Sequence, residues 1–582
     1  MRKSLLLCAA VLLASCGDKA EAPTPVVMTP QGPVQGVVTE AGFANFKGLP
    51  FAAPPIADLR WRAPAPAPRW TETRAATEFS AMCMQVTEAG NDSFLKRIVE
   101  GSGLSAWKEF LIKRVAAGLP VSEVSEDCLY LNVRTPAIAA DGTPKEQLPA
   151  MVWIHGGGHQ FGSGDFSYYQ GDSLPAQGVV VVTINYRLGA FGYLAHPALS
   201  ADDPNGVSGN YGALDQMAAL KWVQENISAY GGDPENVTIF GESAGAWSVT
   251  EMMASPLAKG LFHKAIGQSG SSVYHMGQMD GEGVGWISGY ETAEKFGAAL
   301  GLESPSAETL RALPAETILS VVTEDMSEGF HHVADGYVFP KSVGLMFKSG
   351  AFNKVPVLFG YNADEGSLFY PTDQNPTVWK EDFPVDGTRA EIIEYLSEPF
   401  PTQAETLVDL YQLDTDTYQG GMDMMGDEIF GMNVRYTLAR SEAEGQPAFA
   451  YTWNRIPPSK KQTIGAFHAA ELPFVFDTSE PILGYSDEDK VLTQQMVRYW
   501  TNFAKSGNPN GEGLPEWPAY NGENWLAMEA NTNAQTRTVK NWRGEKLDAL
   551  SEGLTLKLEA LETLTHPQSS QGSGAFGSPQ GE

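Results

Sequence analysis

Basic residues are in short supply in this 582-residue chain: 39 Lys and Arg stand against 70 Asp and Glu, a formal charge of −31. A surface so acidic excludes nucleic acid as a partner, because phosphates demand a basic face. It favours solubility and repels other acidic surfaces. Long apolar runs are lacking too. Leu5–Leu13 is too short to span a bilayer as a mature helix, and no later segment reads as a membrane span. No internal repeat is found. Cysteine is limited to Cys8, Cys16, Cys83 and Cys128. What remains, 43% hydrophobic and 19% charged residues, describes an ordinary globular protein with an ample core.

The few cysteines take their meaning from their positions. Arg2 and Lys3 precede the apolar Leu5–Leu13 as in an export signal, and Leu13-Ala14-Ser15-Cys16 resembles a bacterial lipobox. Residues 1–15 are therefore expected to be removed, Cys16 to be lipidated and residues 16–30 to form a flexible tether. A plain secretory signal with a chance cysteine is the alternative. Either way the chain leaves the cytoplasm, and the lipobox reading makes it a membrane-anchored lipoprotein on a periplasmic or cell-surface face. Cys8 departs with the signal. Cys83 and Cys128 then form the expected disulfide of an exported protein, two buried free thiols being the alternative.

Chemistry first shows at Val237-Thr238-Ile239-Phe240, which reads as a short buried strand, followed by Gly241-Glu242-Ser243-Ala244-Gly245 and a helical Ala246–Ala254. A serine on a sharp turn between strand and helix stands exposed above a sheet edge. Side chains at the two glycine positions would collide with neighbouring chain. The helix directs free N–H groups and its positive end at any developing oxyanion. Alone, the pentapeptide is equally an ordinary strand–helix turn.

The flanking chain supplies a context. Gly32–Phe51 reads as a meander of short strands. Ala150–His155 is a strand running into Gly156-Gly157-Gly158, and Val179–Asn185 is a β-branched run suited to a parallel strand covered on both faces. Tyr211–Tyr230 is helical and stops at Gly231-Gly232-Asp233-Pro234. Such alternation signals an α/β fold with a large, mostly parallel central sheet and helices on both faces. Residues 31–565 are expected to form one domain, and the Ser/Gly/Gln/Pro-rich residues 566–582 a disordered tail.

Several words now occur together in order: Glu126-Asp127-Cys128-Leu129-Tyr130-Leu131-Asn132-Val133, Trp153-Ile154-His155-Gly156-Gly157-Gly158, Asn185-Tyr186-Arg187, Gly209–Gln216 and Phe240–Gly245. With them the chain resembles the type-B carboxylesterases, the α/β-hydrolase family of bacterial nitrobenzyl esterases, fungal lipases and cholinesterases, from about Gly32 to about Trp542. The resemblance implies Ser243 as nucleophile, with backbone N–H groups of Gly157, Gly158 and Ala244 as oxyanion hole. It implies His468 as general acid and base, in Gly465–Phe474, where Ala469 replaces the usual glycine. The order nucleophile, acid, histidine places the orienting acid in Gly360–Gly366; the resemblance selects Glu365 over Asp364. No metal or organic cofactor is implied, and the partner is a small-molecule or lipid-like ester.

The remaining candidates are weaker. His155 and His159 shape the glycine loop; His196, His263 and His275 read as packing or loop, and His566 lies in the tail. His331 and His332 are adjacent, but no carboxylate or cysteine lies at ligand spacing, so a metal is not expected there. The resemblance also implies a buried network of Ser248 and Asp427 behind His468. Leu368 and Phe369 are candidates for the substrate gorge or for plain core. Between Cys83 and Cys128, residues 91–121 carry Trp107, Phe110, Leu111 and Val115 at helical spacing beside Lys108, Lys113 and Arg114. A mobile amphipathic lid would make the protein a lipase; a static packed helix would not. A binding or adhesion relative without catalysis would lack part of the triad, which is complete here.

Overall fold

The computed structural model describes residues 24–565, apart from 87–89, 110–122, 275, 281–286, 323–328, 370–382, 385–386, 480–484 and 530–535. The signal, Cys16, most of the tether, residues 110–121 of the candidate lid, His275 and the tail lie outside the described residues.

The apolar runs become strands of one eleven-stranded sheet. In chain order these are β1 (Val37–Val38), β2 (Ala44–Pro50), β3 (Tyr130–Thr135), β4 (Leu148–Ile154), β5 (Val180–Ile184), β6 (Gly232–Glu242), β7 (Lys264–Gln268), β8 (Val357–Asn362), β9 (Ala448–Trp453), β10 (Asn524–Met528) and β11 (Arg537–Lys540). Across the sheet they lie in the order β11-β10-β9-β8-β7-β6-β4-β5-β3-β2-β1. From β5 to β10 every neighbouring pair is parallel. Both edges are antiparallel, β5-β3-β2-β1 on one side and β10-β11 on the other.

The sequence explains the layering. In β4, Val152 and Ile154 enter one core while Met151 and Trp153 enter the other, the period of two that a strand imposes. The first face is covered by α2 (Tyr211–Asn226) and α3 (Ala244–Ala254) through Met217, Leu220, Val249 and Met252. The second is covered by α4 (Asp487–Ser506) through Leu492, Met496 and Trp500. All five residues of β5 are buried, and each such apolar side chain contributes roughly 1.5–3 kcal/mol. Gly231, at φ 76°, ends the stretch after α2 in the left-handed conformation that glycine tolerates. An earlier helix, α1 (Gly90–Gly101), packs on loops that follow β8 and β9. Among the described residues, no helix is long and apolar enough to cross a membrane.

Cys83 and Cys128 are joined, as expected, across a sequence separation of 45. The bond lies in the core beside β3, with Cys83 2% exposed and Cys128 fully buried. Closing a loop of that length restricts the unfolded chain, for a stabilisation of about 2–4 kcal/mol. A Cys83→Ser/Cys128→Ser variant is therefore expected to melt several degrees lower than the native chain in calorimetry. An unchanged melting temperature would mean the bond adds no stability.

Candidate active site

Four of the parallel strands deliver the candidate residues at their carboxyl ends, where open α/β sheets place their sites. β6 delivers Ser243, whose φ of 57° and ψ of −126° are costly for a residue with a side chain; such strain is worth about 1–3 kcal/mol and is held by surrounding packing. That packing is identifiable. A Cβ on Gly245 would lie 2.0 Å from the Ile154 carbonyl oxygen, and one on Gly241 2.5 Å from the Gly245 carbonyl. The Ser243 N–H donates to Gln268 O at the end of β7 (2.9 Å). Ala244 is the first residue of α3, so its N–H belongs to the helix end that faces the site.

β4 delivers the glycine loop. A Cβ on Gly156 would approach Ser243 Cβ to 3.0 Å, so loop and serine are in direct apposition. Gly157 and Gly158 have φ of 105° and 62°. Their N–H groups donate to no protein acceptor among the described residues, while the Gly157 carbonyl turns back to accept from Gln160 and Phe161. Gln85 exchanges hydrogen bonds with the Gly162 backbone (2.9 and 3.0 Å) and donates to Cys83 O, which ties the loop to the disulfide. The word Asn185-Tyr186-Arg187 supports it from below. Asn185 Oδ1 accepts from Gly164 N (2.8 Å), Tyr186 OH donates to His155 O (2.7 Å), and Arg187 pairs twice with buried Asp215 at 2.7 Å.

β8 and β9 supply the acid and the imidazole. His468 Nδ1 lies 2.6 Å from Glu365 Oε2, and Glu365 Oε1 accepts from the Asn362 N–H, also at 2.6 Å. Asp364 does something else: its Oδ2 accepts from Ala466 N (2.6 Å) and so pins the histidine loop. Glu365 is thus the carboxylate that faces the histidine. Ala469, where the resemblance expects glycine, adopts φ 67°, a left-handed conformation costing a non-glycine residue about 1–2 kcal/mol.

The surroundings of His468 extend beyond the expected residues. Glu242, adjacent to the serine, brings Oε1 to 3.1 Å from His468 Nε2. Burial alone would push this imidazole down; the carboxylates of Glu242 and then Glu365 overcome it and hold it up at about 9. Burial pushes Glu242 itself up to about 8, against the pull of His468. Glu471 lies behind the pair. It accepts from Asn362 Nδ2 (2.7 Å) and Gln268 Nε2 (3.1 Å), and Gln268 Oε1 in turn accepts from Trp500 Nε1 (3.0 Å). Glu471 shares a sequence word with His468, a signal that was available; Gln268 carried none. Phe430 stacks on the His468 ring at 4.8 Å and Phe369 meets it edge-on at 4.9 Å.

Other expectations divide. Phe369 reaches the site, but Leu368 is 1% exposed core whose carbonyl accepts from Arg97 of α1. Ser248 and Asp427 do not share a network behind His468. Ser248 Oγ meets His159 Nε2 and Gln216 Nε2, both at 2.9 Å. Asp427 accepts from Tyr361, Tyr411 and Arg543, and Arg543 also donates to Ala363 O in the acid loop. They separate because α3 carries Ser248 toward the glycine loop, whereas Asp427 follows a helix packed on the acid loop. His155 and His159 are buried and held down, at about 4 and about 3, chiefly by burial. They are loop-shaping residues. The described part of the 91–121 segment is docked on the histidine loop: Gly101 O accepts from Thr463 N (2.8 Å), and Gly103 O accepts from Ser459 Oγ (2.6 Å). Trp107 is 70% exposed.

A parallel sheet whose strand ends bring a strained serine, a glycine loop and a buried imidazole–carboxylate pair to one edge is the arrangement of the α/β-hydrolases. Residues 23–549 match the carboxylesterase family. The chain is 36% identical over 517 residues to a fumonisin B1 esterase of Sphingopyxis macrogoltabida, covering 86% of this chain and 85% of that one. It is also 36% identical over 515 residues to a para-nitrobenzyl esterase of Bacillus subtilis, covering 86% and 93%. A solved carboxylesterase of Geobacillus stearothermophilus superposes with a TM-score of 0.73 at 31% identity, covering 90% of this chain and 99% of that one. The chain belongs to the carboxylesterase family and is a carboxylic ester hydrolase acting on small-molecule esters.

Two outcomes follow from the geometry. A base accepts a proton only when neutral, so an imidazole held up at about 9 limits kcat/KM on the acid side. Removing the Glu242 charge with Glu242→Gln lowers the histidine toward its ordinary 6.5, and the acid limb of the pH–rate profile moves to lower pH. An unmoved limb would show that Glu242 does not set it. Ala469→Gly relieves the left-handed strain; thermal unfolding should register a stabilisation of about 1 kcal/mol or less with kcat retained, and a lower melting temperature would contradict the assignment.

Proposed function

We propose that Ser243 is the nucleophile of a two-step acyl transfer, with His468 as general base and acid and Glu365 as its orienting carboxylate. The observation that carries this reading is the 2.6 Å pairing of His468 Nδ1 with Glu365, on an imidazole whose Nε2 faces the residue next to Ser243. Ser243 Oγ attacks the ester carbonyl as His468 takes its proton. The carbonyl oxygen becomes an oxyanion in front of the N–H groups of Gly157, Gly158 and Ala244, where each donor is worth about 10²–10³ in rate. The tetrahedral species collapses, the alcohol leaves with the proton from His468, and water repeats the sequence on the acyl-enzyme. In the resting arrangement Glu242 shares His468 Nε2, which stabilises the imidazolium formed at each transfer.

The relatives named for fumonisin B1 and para-nitrobenzyl esters support an acyl pocket accepting more than one ester type, with Phe369 and Phe430 at its wall. A lipase reading gains little from α1, whose hydrogen bonds tie it to the histidine loop. For the amino terminus we propose export and lipidation at Cys16, with residues 16–30 as tether to a single catalytic domain over 31–565; the family match begins at residue 23, downstream of that cysteine.

The test is hydrolysis of p-nitrophenyl esters from acetate to palmitate. Native protein turns over short chains, and Ser243→Ala loses about 10⁴-fold or more in kcat while retaining its melting temperature. Equal turnover by the variant would overturn the assignment, and a rate that rises only above the solubility limit of long-chain esters would favour a lipase.

A further inference from the structure

The interior holds a second group of chemistry-bearing side chains that the ester reaction does not use. His159 follows the glycine loop, Glu251 lies on α3 about two turns below Ser243, and His332 precedes a short strand at Val333–Ala334. All three are 1% exposed. One ligand atom from each lies within 4.8 Å of the others. The sequence separates Glu251 from His332 by 81 positions, so no spacing rule could bring the carboxylate to the histidine; the fold does.

The directions of these atoms are as informative as their distances. His332 Nε2 and Glu251 Oε2 are 2.9 Å apart, yet neither atom makes a hydrogen bond of acceptable geometry. A buried imidazole nitrogen and a buried carboxylate oxygen left in that condition normally cost about 1–3 kcal/mol or more. Side by side at 2.9 Å with no hydrogen bond to either, both atoms keep a lone pair unused inside the cluster. Glu251 Oε1 is separately satisfied by Ser272 Oγ (2.7 Å), and His159 Nε2 meets Ser248 Oγ (2.9 Å). Glu251 is thereby oriented by a neighbour, the support that metal ligands usually receive, while His159 has Ser248 on Nε2 and a bond to the Ala244 backbone, so that an ion takes the place of one of these contacts. His332 is held instead by packing, its ring 4.6 Å from His159, 4.7 Å from Tyr193 and 5.5 Å from Phe339.

We propose that His159, Glu251 and His332 form a binding site for a divalent transition metal, zinc by ligand chemistry, buried behind the oxyanion loop. Two imidazoles and one carboxylate suit Zn²⁺, with nitrogen and oxygen at about 2.0–2.2 Å. To reach that shell the pair at 2.9 Å opens slightly while the more distant ligand atom draws in. The ion compensates the carboxylate, to which no Lys or Arg is paired among the described residues. It also ties three elements at one point: the loop that carries Gly157 and Gly158, the helix that starts at Ser243, and the segment at His332. Its place is structural, since no face of it opens to substrate, and burial means that it enters during folding.

The test uses the full-length chain without a polyhistidine tag, expressed with zinc supplementation and then exhaustively desalted. Elemental analysis by mass spectrometry is expected to give about one zinc per chain, and Glu251→Gln and His332→Gln each lower retention by about tenfold or more. Should those variants fail to fold, cobalt-loaded native protein decides the matter: a site of this class gives the intense visible bands of low-coordinate cobalt with nitrogen and oxygen ligands. Native protein without bound metal, variants that retain as much as native, or colourless cobalt-grown protein would each overturn the proposal and leave the cluster a hydrogen-bonding group only. None of these readouts depends on ester turnover, so the result is independent of the assignment of Ser243.

Discussion

A buried imidazole compressed between carboxylates is the interaction on which this site depends. His468 has Glu365 on one ring nitrogen and Glu242 on the other, with Glu471 one residue-layer behind. Taking charges out of water is expensive; Glu365 and Glu471 are each held by defined hydrogen-bond donors, while Glu242 faces the His468 ring. Asn362 is central to that. Its backbone N–H serves Glu365 while its side chain serves Glu471 and the Phe467 carbonyl. One residue at the end of β8 thus fixes the acid, the second carboxylate and the histidine loop together.

The second constraint is steric. Ser243 is displayed because backbone from β4, β6 and α3 closes to distances that only glycine at 241 and 245 permits. The strain at Ser243 is therefore held by the sheet, and the sheet is held by alternating side chains feeding two cores. The disulfide enters the same chain of dependence. Through Gln85 it is coupled to the loop at Gly162, so the covalent link also restrains the glycine loop.

Much of this was legible in the sequence, for physical reasons. Strand and turn signals are local, and β5, the stop at Gly231 and the elbow at Ser243 are all set within a few residues. The choice of Glu365 over Asp364 came from resemblance, and the structure supplies the cause: one carboxylate faces the ring while the other caps the Ala466 N–H. What was misread is non-local. Ser248 and Asp427 were expected in one network, but Ser248, on α3, meets His159 and Gln216, whereas Asp427 meets Tyr361, Tyr411 and Arg543 beside the acid loop. Glu251 and His332 meet only through folding. Glu242 was visible as a motif letter, but its approach to His468 Nε2 depends on how β6 and β9 are placed.

The measurement that tests the central claim most directly is covalent trapping of the acyl-transfer residue. Native protein treated with a p-nitrophenyl phosphonate, which mimics the tetrahedral species and cannot complete hydrolysis, would be analysed by intact-mass spectrometry and peptide mapping. The account predicts a single adduct, on Ser243, formed in step with the loss of esterase activity. Activity lost with the adduct on another residue, or stoichiometric labelling of Ser243 that leaves ester turnover intact, would contradict it.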